Sequence, residues 1–345
     1  MGGEYTYTNR HDDYVNQEGY VPTTYTRIRE QNLAGYAQYS HPLPFGQANI
    51  GLRYEHVDFD YFENATFVPG QSRVYDNIFP NISVNGQLGK VQFQVSYAAK
   101  TQRPNYSQLR NNITYANRFT WQTGNPLLKP SVTHDITAVG VWRFFQAMVS
   151  YKVVRDYILY WGTQVENQSA TTLINYINHD RLPSLTVMLA ASPTIGIWNL
   201  NASAIVMKQW FSLDAAGQRR IYNNPLFVGS LNNTFTLPAG FLLSADFNYQ
   251  SRGQVQNITL KRPQYTLNIG LRKSLFNDAL SIEARANDLL LGCKQEALLY
   301  MESAQMKDLS WSDTRSFSLT VRYKFNAAKS KYKGTGAGQD TINRM

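Results

Sequence analysis

The segment Ser316-Phe317-Ser318-Leu319-Thr320-Val321-Arg322-Tyr323-Lys324-Phe325 alternates without a break. Successive side chains of an extended chain point to opposite faces. Phe317, Leu319, Val321, Tyr323 and Phe325 therefore share one face, and Ser316, Ser318, Thr320, Arg322 and Lys324 share the other. Such a strand needs an apolar medium on one side and water on the other. An antiparallel sandwich supplies both, and so does a membrane barrel with lipid outside and a polar interior.

The pattern recurs along the chain. Val91-Gln92-Phe93-Gln94-Val95-Ser96-Tyr97 alternates. Ala48-Asn49-Ile50-Gly51-Leu52-Arg53-Tyr54-Glu55 does too, with Arg53 and Glu55 on the wet side. Phe241, Leu243, Ala245, Phe247 and Tyr249 oppose Ser244, Asp246, Asn248 and Gln250. Many of these segments reach the about 9–11 residues that a tilted membrane strand needs, against about 5–6 for a globular strand. Length favours the barrel over the sandwich.

Composition agrees. Among 345 residues, 23 are Tyr, 17 Phe and 6 Trp, the aromatics that form girdles at membrane interfaces. No stretch approaches the roughly 18–20 consecutive apolar residues of a membrane helix. The formal charge is +9, but the cations are scattered over strands and loops, so no nucleic-acid partner is expected. The single cysteine, Cys293, allows no internal disulfide, and no zinc spacing occurs. The first residues, Met1-Gly2-Gly3-Glu4-Tyr5-Thr6-Tyr7, read as strand and not as a secretion signal.

About 14 strands are expected, near 2–10, 25–41, 46–58, 74–86, 90–101, 131–143, 146–160, 172–191, 197–210, 224–237, 240–251, 262–275, 279–289 and 314–326. The eighth and tenth are the weakest. Thr186-Val187-Met188-Leu189-Ala190 barely alternates, and Asn232 and Asn233 interrupt the tenth. Connections alternate between short (for example 41–44, 86–90 and 143–145) and long (11–24, 59–73, 102–130 and others). Outer-membrane barrels pair short periplasmic turns with long extracellular loops. This sorting gives an even strand count and places both ends of the wall in the periplasm.

One long connection carries a motif. It opens Arg103-Pro104-Asn105-Tyr106-Ser107-Gln108-Leu109 and closes Gly124-Asn125-Pro126-Leu127-Leu128-Lys129-Pro130. Pro104 has no N–H for a ladder and biases Arg103 toward extended backbone, so the strand ends there. Gly124-Asn125-Pro126 is turn chemistry that leads back into the sheet. With the preceding Val95–Lys100 strand, Asn287-Asp288-Leu289-Leu290 and the tail Lys329–Gly338, these motifs resemble the barrel of TonB-dependent outer-membrane receptors, and more closely the outer-membrane β-barrel family of Bacteroidota. The resemblance implies a bacterial outer-membrane location and an all-β, transmembrane antiparallel barrel. The strands here would then form the carboxyl portion of a 22-stranded wall, without the plug.

The resemblance also implies function. Residues 1–326 would be barrel and 327–345 a basic, Gly-rich periplasmic tail. The barrel would bind and pass a nutrient such as a siderophore or glycan. Its partners would be outer-membrane lipid and the barrel-assembly machinery, with a periplasmic energy-transducing protein only where an upstream plug exists. Tyr323 and Phe325 would carry the assembly signal. The motif loop reads first as a shaper of backbone, through Pro104, Gly124, Asn125 and Pro126. Its second reading is a ligand-facing surface of Arg103, Tyr106, Tyr115, Arg118 and Trp121. The alternative to a receptor is a stand-alone structural, adhesion or porin-like barrel. No catalytic residue, metal site or cofactor is expected. His11, His41, His56, His134 and His179 form no ligand spacing, and no serine has a fixed histidine partner.

Overall fold

A computed structural model describes residues 1–325 apart from Tyr20, Glu166, Asn167, Asp278, Ser303 and Ala304. The basic tail expected over 327–345 lies outside the described residues. Fourteen long strands form the wall. They are β1 (Gly2–Tyr14), β2 (Thr24–Leu43), β3 (Gly46–Glu63), β4 (Arg73–Leu88), β5 (Val91–Gln102), β6 (Ser131–Trp142) and β7 (Phe145–Val165). The second half is β8 (Gln168–Ala191), β9 (Trp198–Gln209), β10 (Leu226–Leu237), β11 (Phe241–Gln250), β12 (Gln264–Leu275), β13 (Leu280–Asn287) and β14 (Ser316–Tyr323). Each pairs antiparallel with the next in sequence. Every expected strand is present, with ends shifted by a few residues.

The register keeps the two faces separate across the whole wall. Thr6 of β1 faces Asn32 of β2, which faces Val57 of β3 and then Tyr75 of β4. Farther along, Ser203, Ser230, Asn248 and Thr266 form one wet row through β9–β12, and Arg272, Glu283 and Thr320 another through β12–β14. On the opposite face Ile50, Leu52, Ile78, Ile82, Val95, Ile136, Leu189, Leu231, Ile269 and Leu319 stand at 38–71 % exposure, an oily surface that lipid covers. A slip of one residue in any strand would invert this arrangement.

The weak alternation of β8 has a local cause. Met188 belongs to the inner face, but it lies in a row with Val139, Met148, Ile205 and Val228, so both faces are apolar at that level. In β10 the two asparagines take opposite faces. Asn232 joins the wet row opposite Asp246. Asn233 points outward near the periplasmic end, where the Trp198 indole N–H donates to its Oδ1 at 3.0 Å and its Nδ2 donates to the Ala245 carbonyl at 3.1 Å. The outward amide is thereby satisfied without water.

The periplasmic turns are tight. Arg143, Phe276 and Asn277 have φ near +53°, the backbone of turns whose twist matches a hairpin. Around them lie Phe45, Trp142, Phe144, Phe145, Phe241 and Phe276, all exposed, as a lower aromatic girdle. Among the described residues no ladder joins β1 to β14, so the wall is an open sheet with two unpaired edges. Tyr323 and Phe325 sit at one of those edges with rings stacked 6.2 Å apart.

The two faces make opposite demands on substitution. Leu52→Arg places a cation against the hydrocarbon and should destabilise the folded wall by about 2–4 kcal/mol. Ser83→Arg on the inner face should change stability little. Urea titration of the protein refolded into lipid vesicles checks both.

Candidate functional site

The motif loop does not simply project outward. It folds back over the inner face of β2, β3 and β4, and Arg103 anchors it there. The Arg103 guanidinium lies 2.7 Å from a Glu55 carboxylate oxygen and 3.6 Å from one of Glu30. Side-chain exposure is 16 % for Arg103, 9 % for Glu55 and 6 % for Glu30. Arg53 extends the network to Glu55 at 2.6 Å and to Glu4 at 3.1 Å. Such charges are tolerated out of water only when paired and hydrogen-bonded.

The rest of the motif follows from this anchor. Pro104 is buried beside it. A single helical turn, α1 (Tyr106–Leu109), drops Tyr106 and Leu109 into an apolar cluster with Ile28, Phe59, Tyr61 and Leu128. Tyr106 is only 1 % exposed, with the Arg10 guanidinium 5.8 Å from its ring centre. Gly124 passes so close to the backbone that a Cβ would lie 2.5 Å or less from the Gln108 and Arg110 carbonyl oxygens. Asn125 donates to the Tyr176 carbonyl of β8 at 2.8 Å and accepts from the Leu127 N–H. The carbonyls of Pro126 and Leu127 accept from the Arg73 guanidinium of β4.

Between its two anchored ends the loop sends out a short hairpin, residues 114–117 paired with 120–122. Tyr115, opposite Trp121 in this hairpin, is 57 % exposed. Arg118 is exposed and lies 4.7 Å from the ring centre of Phe119, itself 50 % exposed. Trp121 is half-buried, because its strand runs parallel to Thr172–Ile174 of β8. Of the five residues expected to face a ligand, Tyr115 and Arg118 are therefore open, Trp121 is partly so, and Arg103 and Tyr106 face the scaffold. Phe119 was not singled out in the sequence, since a lone aromatic in a polar loop carries no periodic signal.

Other outer loops join this one into a canopy. β7 bends at Asp156 (φ +49°), whose carbonyl accepts from Ser131 and Asn178. Beyond that point, Ile158 and Tyr176 pack on the motif loop. Leu159 packs with Leu182 against Phe211 and Tyr222 of a hairpin over residues 211–222. Ile174 meets Leu299 and Met301 of a further sheet built from residues 253–260 and 294–311. The Arg220 guanidinium lies 3.4 Å from the centre of the Tyr300 ring. Among the described residues no three His, Cys, Asp or Glu side chains gather as a metal site.

Two expectations follow. Arg103→Ala leaves Glu55 with one cation fewer in a covered site, so the motif loop should open by about 3 kcal/mol more readily. Trypsin would then cut at Arg110 and Arg118 faster than in the wild type. In the outer sheet, hydrogen bonds from Lys307 and Arg262 hold the Glu296 carboxyl below its ordinary pKa. A depressed carboxylate stabilises the fold above its unfolded pKa and loses that effect as pH falls through the folded value. The 294–311 hairpin should therefore become protease-sensitive in acid before the wall does, and Lys307→Gln should move that onset to higher pH.

The model of the outer membrane protein beta-barrel family matches residues 1–323. No curated protein sequence matches the chain. Among solved structures, the ferric-catecholate import receptor Fiu of E. coli K12 superposes with a TM-score of 0.56 at 13 % identity, over 94 % of this chain and 50 % of the receptor. The copper transporter OprC gives 0.62 at 11 % identity, over 94 % and 53 %. The hemophore receptor HasR of Serratia marcescens gives 0.57 at 14 % identity, over 94 % and 56 %. The chain thus spans about half the length of the receptors it superposes on, and at these identities the likeness is one of fold. With the full-length family match and the two-faced wall, the chain belongs to the outer membrane protein β-barrel family and resides in the bacterial outer membrane.

Proposed function

We propose that this chain is the barrel wall of a TonB-dependent-type receptor that captures a nutrient ligand, a siderophore, glycan or similar molecule, at the cell surface and passes it across the outer membrane. The reading rests most on one feature. A hairpin with Tyr115, Arg118 and Phe119 exposed pairs alongside residues 172–174 and belongs to a loop whose start is anchored on the inner face by the Arg103–Glu55 ion pair. Rigid presentation of an aromatic–guanidinium surface suits planar or anionic ligands. That the structural neighbours include an import receptor, a copper transporter and a hemophore receptor supports the same class.

Energy coupling and the plug belong in this proposal to a longer protein of which these strands form part. Barrel insertion by the assembly machinery, with Tyr323 and Phe325 read as the signal, is part of it too. The porin-like alternative needs β1 to pair with β14, and among the described residues they do not.

Calorimetric titration of the purified protein with a ferric catecholate, haem, a copper salt and an oligosaccharide tests the reading. Saturable binding of one of these is expected, with Tyr115→Ala and Arg118→Ala each weakening it about tenfold. No binding of any, together with a stable open conductance in planar bilayers, would contradict it.

A further inference from the structure

The outer, lipid-facing surface of β6–β11 is not evenly convex. Gly140 and Ala147 on one side of the exposed Leu189, and Ala202, Ala204 and Gly229 on the other, leave a low floor on that face, and Trp142 and Tyr249 line it as well. The resulting groove is open to the membrane and offers about 770 Å³, comparable in volume to the roughly 300–1,000 Å³ of sites that hold a small molecule. Its lining is almost wholly apolar, and the surrounding membrane presents acyl chains to it.

Charge at the groove's periplasmic end selects among lipids. Val91 and Trp142 face each other across the β5–β6 ladder there, and both line the groove. Each adjoins a turn with a cation, Lys90 beside Val91 and Arg143 beside Trp142. The Arg143 guanidinium lies 5.0 Å from the Trp142 ring centre, and its side chain is exposed. No Asp or Glu occurs in residues 86–92, 141–147, 190–199 or 237–241, the short turns beside the groove. We infer that this groove is a binding site for one anionic phospholipid of the periplasmic leaflet, its acyl chain along the small-residue floor and its phosphate between Lys90 and Arg143. Cations near a membrane surface attract anionic headgroups, and the floor lets the chain approach the backbone more closely than ordinary boundary lipid.

The test uses tryptophan quenching in vesicles, with bromine on the acyl chain of either phosphatidylglycerol or phosphatidylcholine. The Trp142→Phe variant isolates the Trp142 signal by difference. Expected is quenching of Trp142 that saturates at a low mole fraction of brominated phosphatidylglycerol and is much weaker with brominated phosphatidylcholine. Lys90→Gln and Arg143→Gln should each reduce the apparent affinity about fivefold. Ala204→Leu, which fills the floor without touching the cations, should abolish saturation while leaving the protein folded by heat-shift on gels. Quenching that rises in proportion to bulk lipid composition with either headgroup would overturn the inference. So would saturation that is unchanged in Ala204→Leu.

Discussion

Every peptide group that crosses hydrocarbon must find its hydrogen bond within the protein, and the rest of this structure depends on that. A strand meets the requirement only with a neighbour on each side. The wall meets it for twelve consecutive strands, β2–β13, each laddered antiparallel to a neighbour on both sides. Once those ladders fix the register, the period of two decides which side chains meet lipid and which face inward. The oily row from Ile50 to Leu319 and the wet rows opposite it are therefore consequences of backbone pairing. Asn233 shows how strict the rule is, since the outward amide has both a Trp198 and a backbone partner.

The outer half of the molecule obeys a different constraint. Above the membrane, water satisfies exposed backbone, so strands leave the wall, bend and pack on one another. The Arg103–Glu55–Arg53 network and the cluster around Tyr61 and Tyr106 give the motif loop a rigid seat. The bend at Asp156 lets the β7–β8 hairpin touch the motif loop with one side and the 211–222 hairpin with the other. Flexible loops would lose more conformational freedom on meeting a ligand. A canopy already packed presents its aromatics and cations at lower entropic cost.

The legibility of the sequence divides along the same line. All fourteen wall strands were readable, because lipid imposes the alternation locally, residue by residue. Even β8 and β10, which read weakly, fall where expected; their lapses reflect Met188 in an apolar inner row and the Trp198-capped Asn233. The short outer strands at 211–222, 253–260 and 294–311 left no such trace. Phe211, Tyr222, Leu299 and Met301 are buried by distant segments of chain, so no local period marks them. The motif loop was readable as a special backbone at Pro104, Gly124 and Pro126. The direction of its side chains was not, because Glu30 and Glu55, which draw Arg103 inward, lie 73 and 48 residues upstream of it.

The separation of the wall into a lipid-facing and a water-facing side is most directly tested on β4. In a Cys293→Ser background, single cysteines at 77, 81 and 83 lie on the inner face, and cysteines at 78, 82 and 84 on the outer. The measurement is their reaction with a membrane-impermeant maleimide after reconstitution into lipid vesicles open to reagent on both sides. Alternating labelling, fast at 77, 81 and 83 and slow at 78, 82 and 84, is the predicted result. Uniform labelling along the strand would mean that water reaches both faces, and would contradict a lipid-embedded wall.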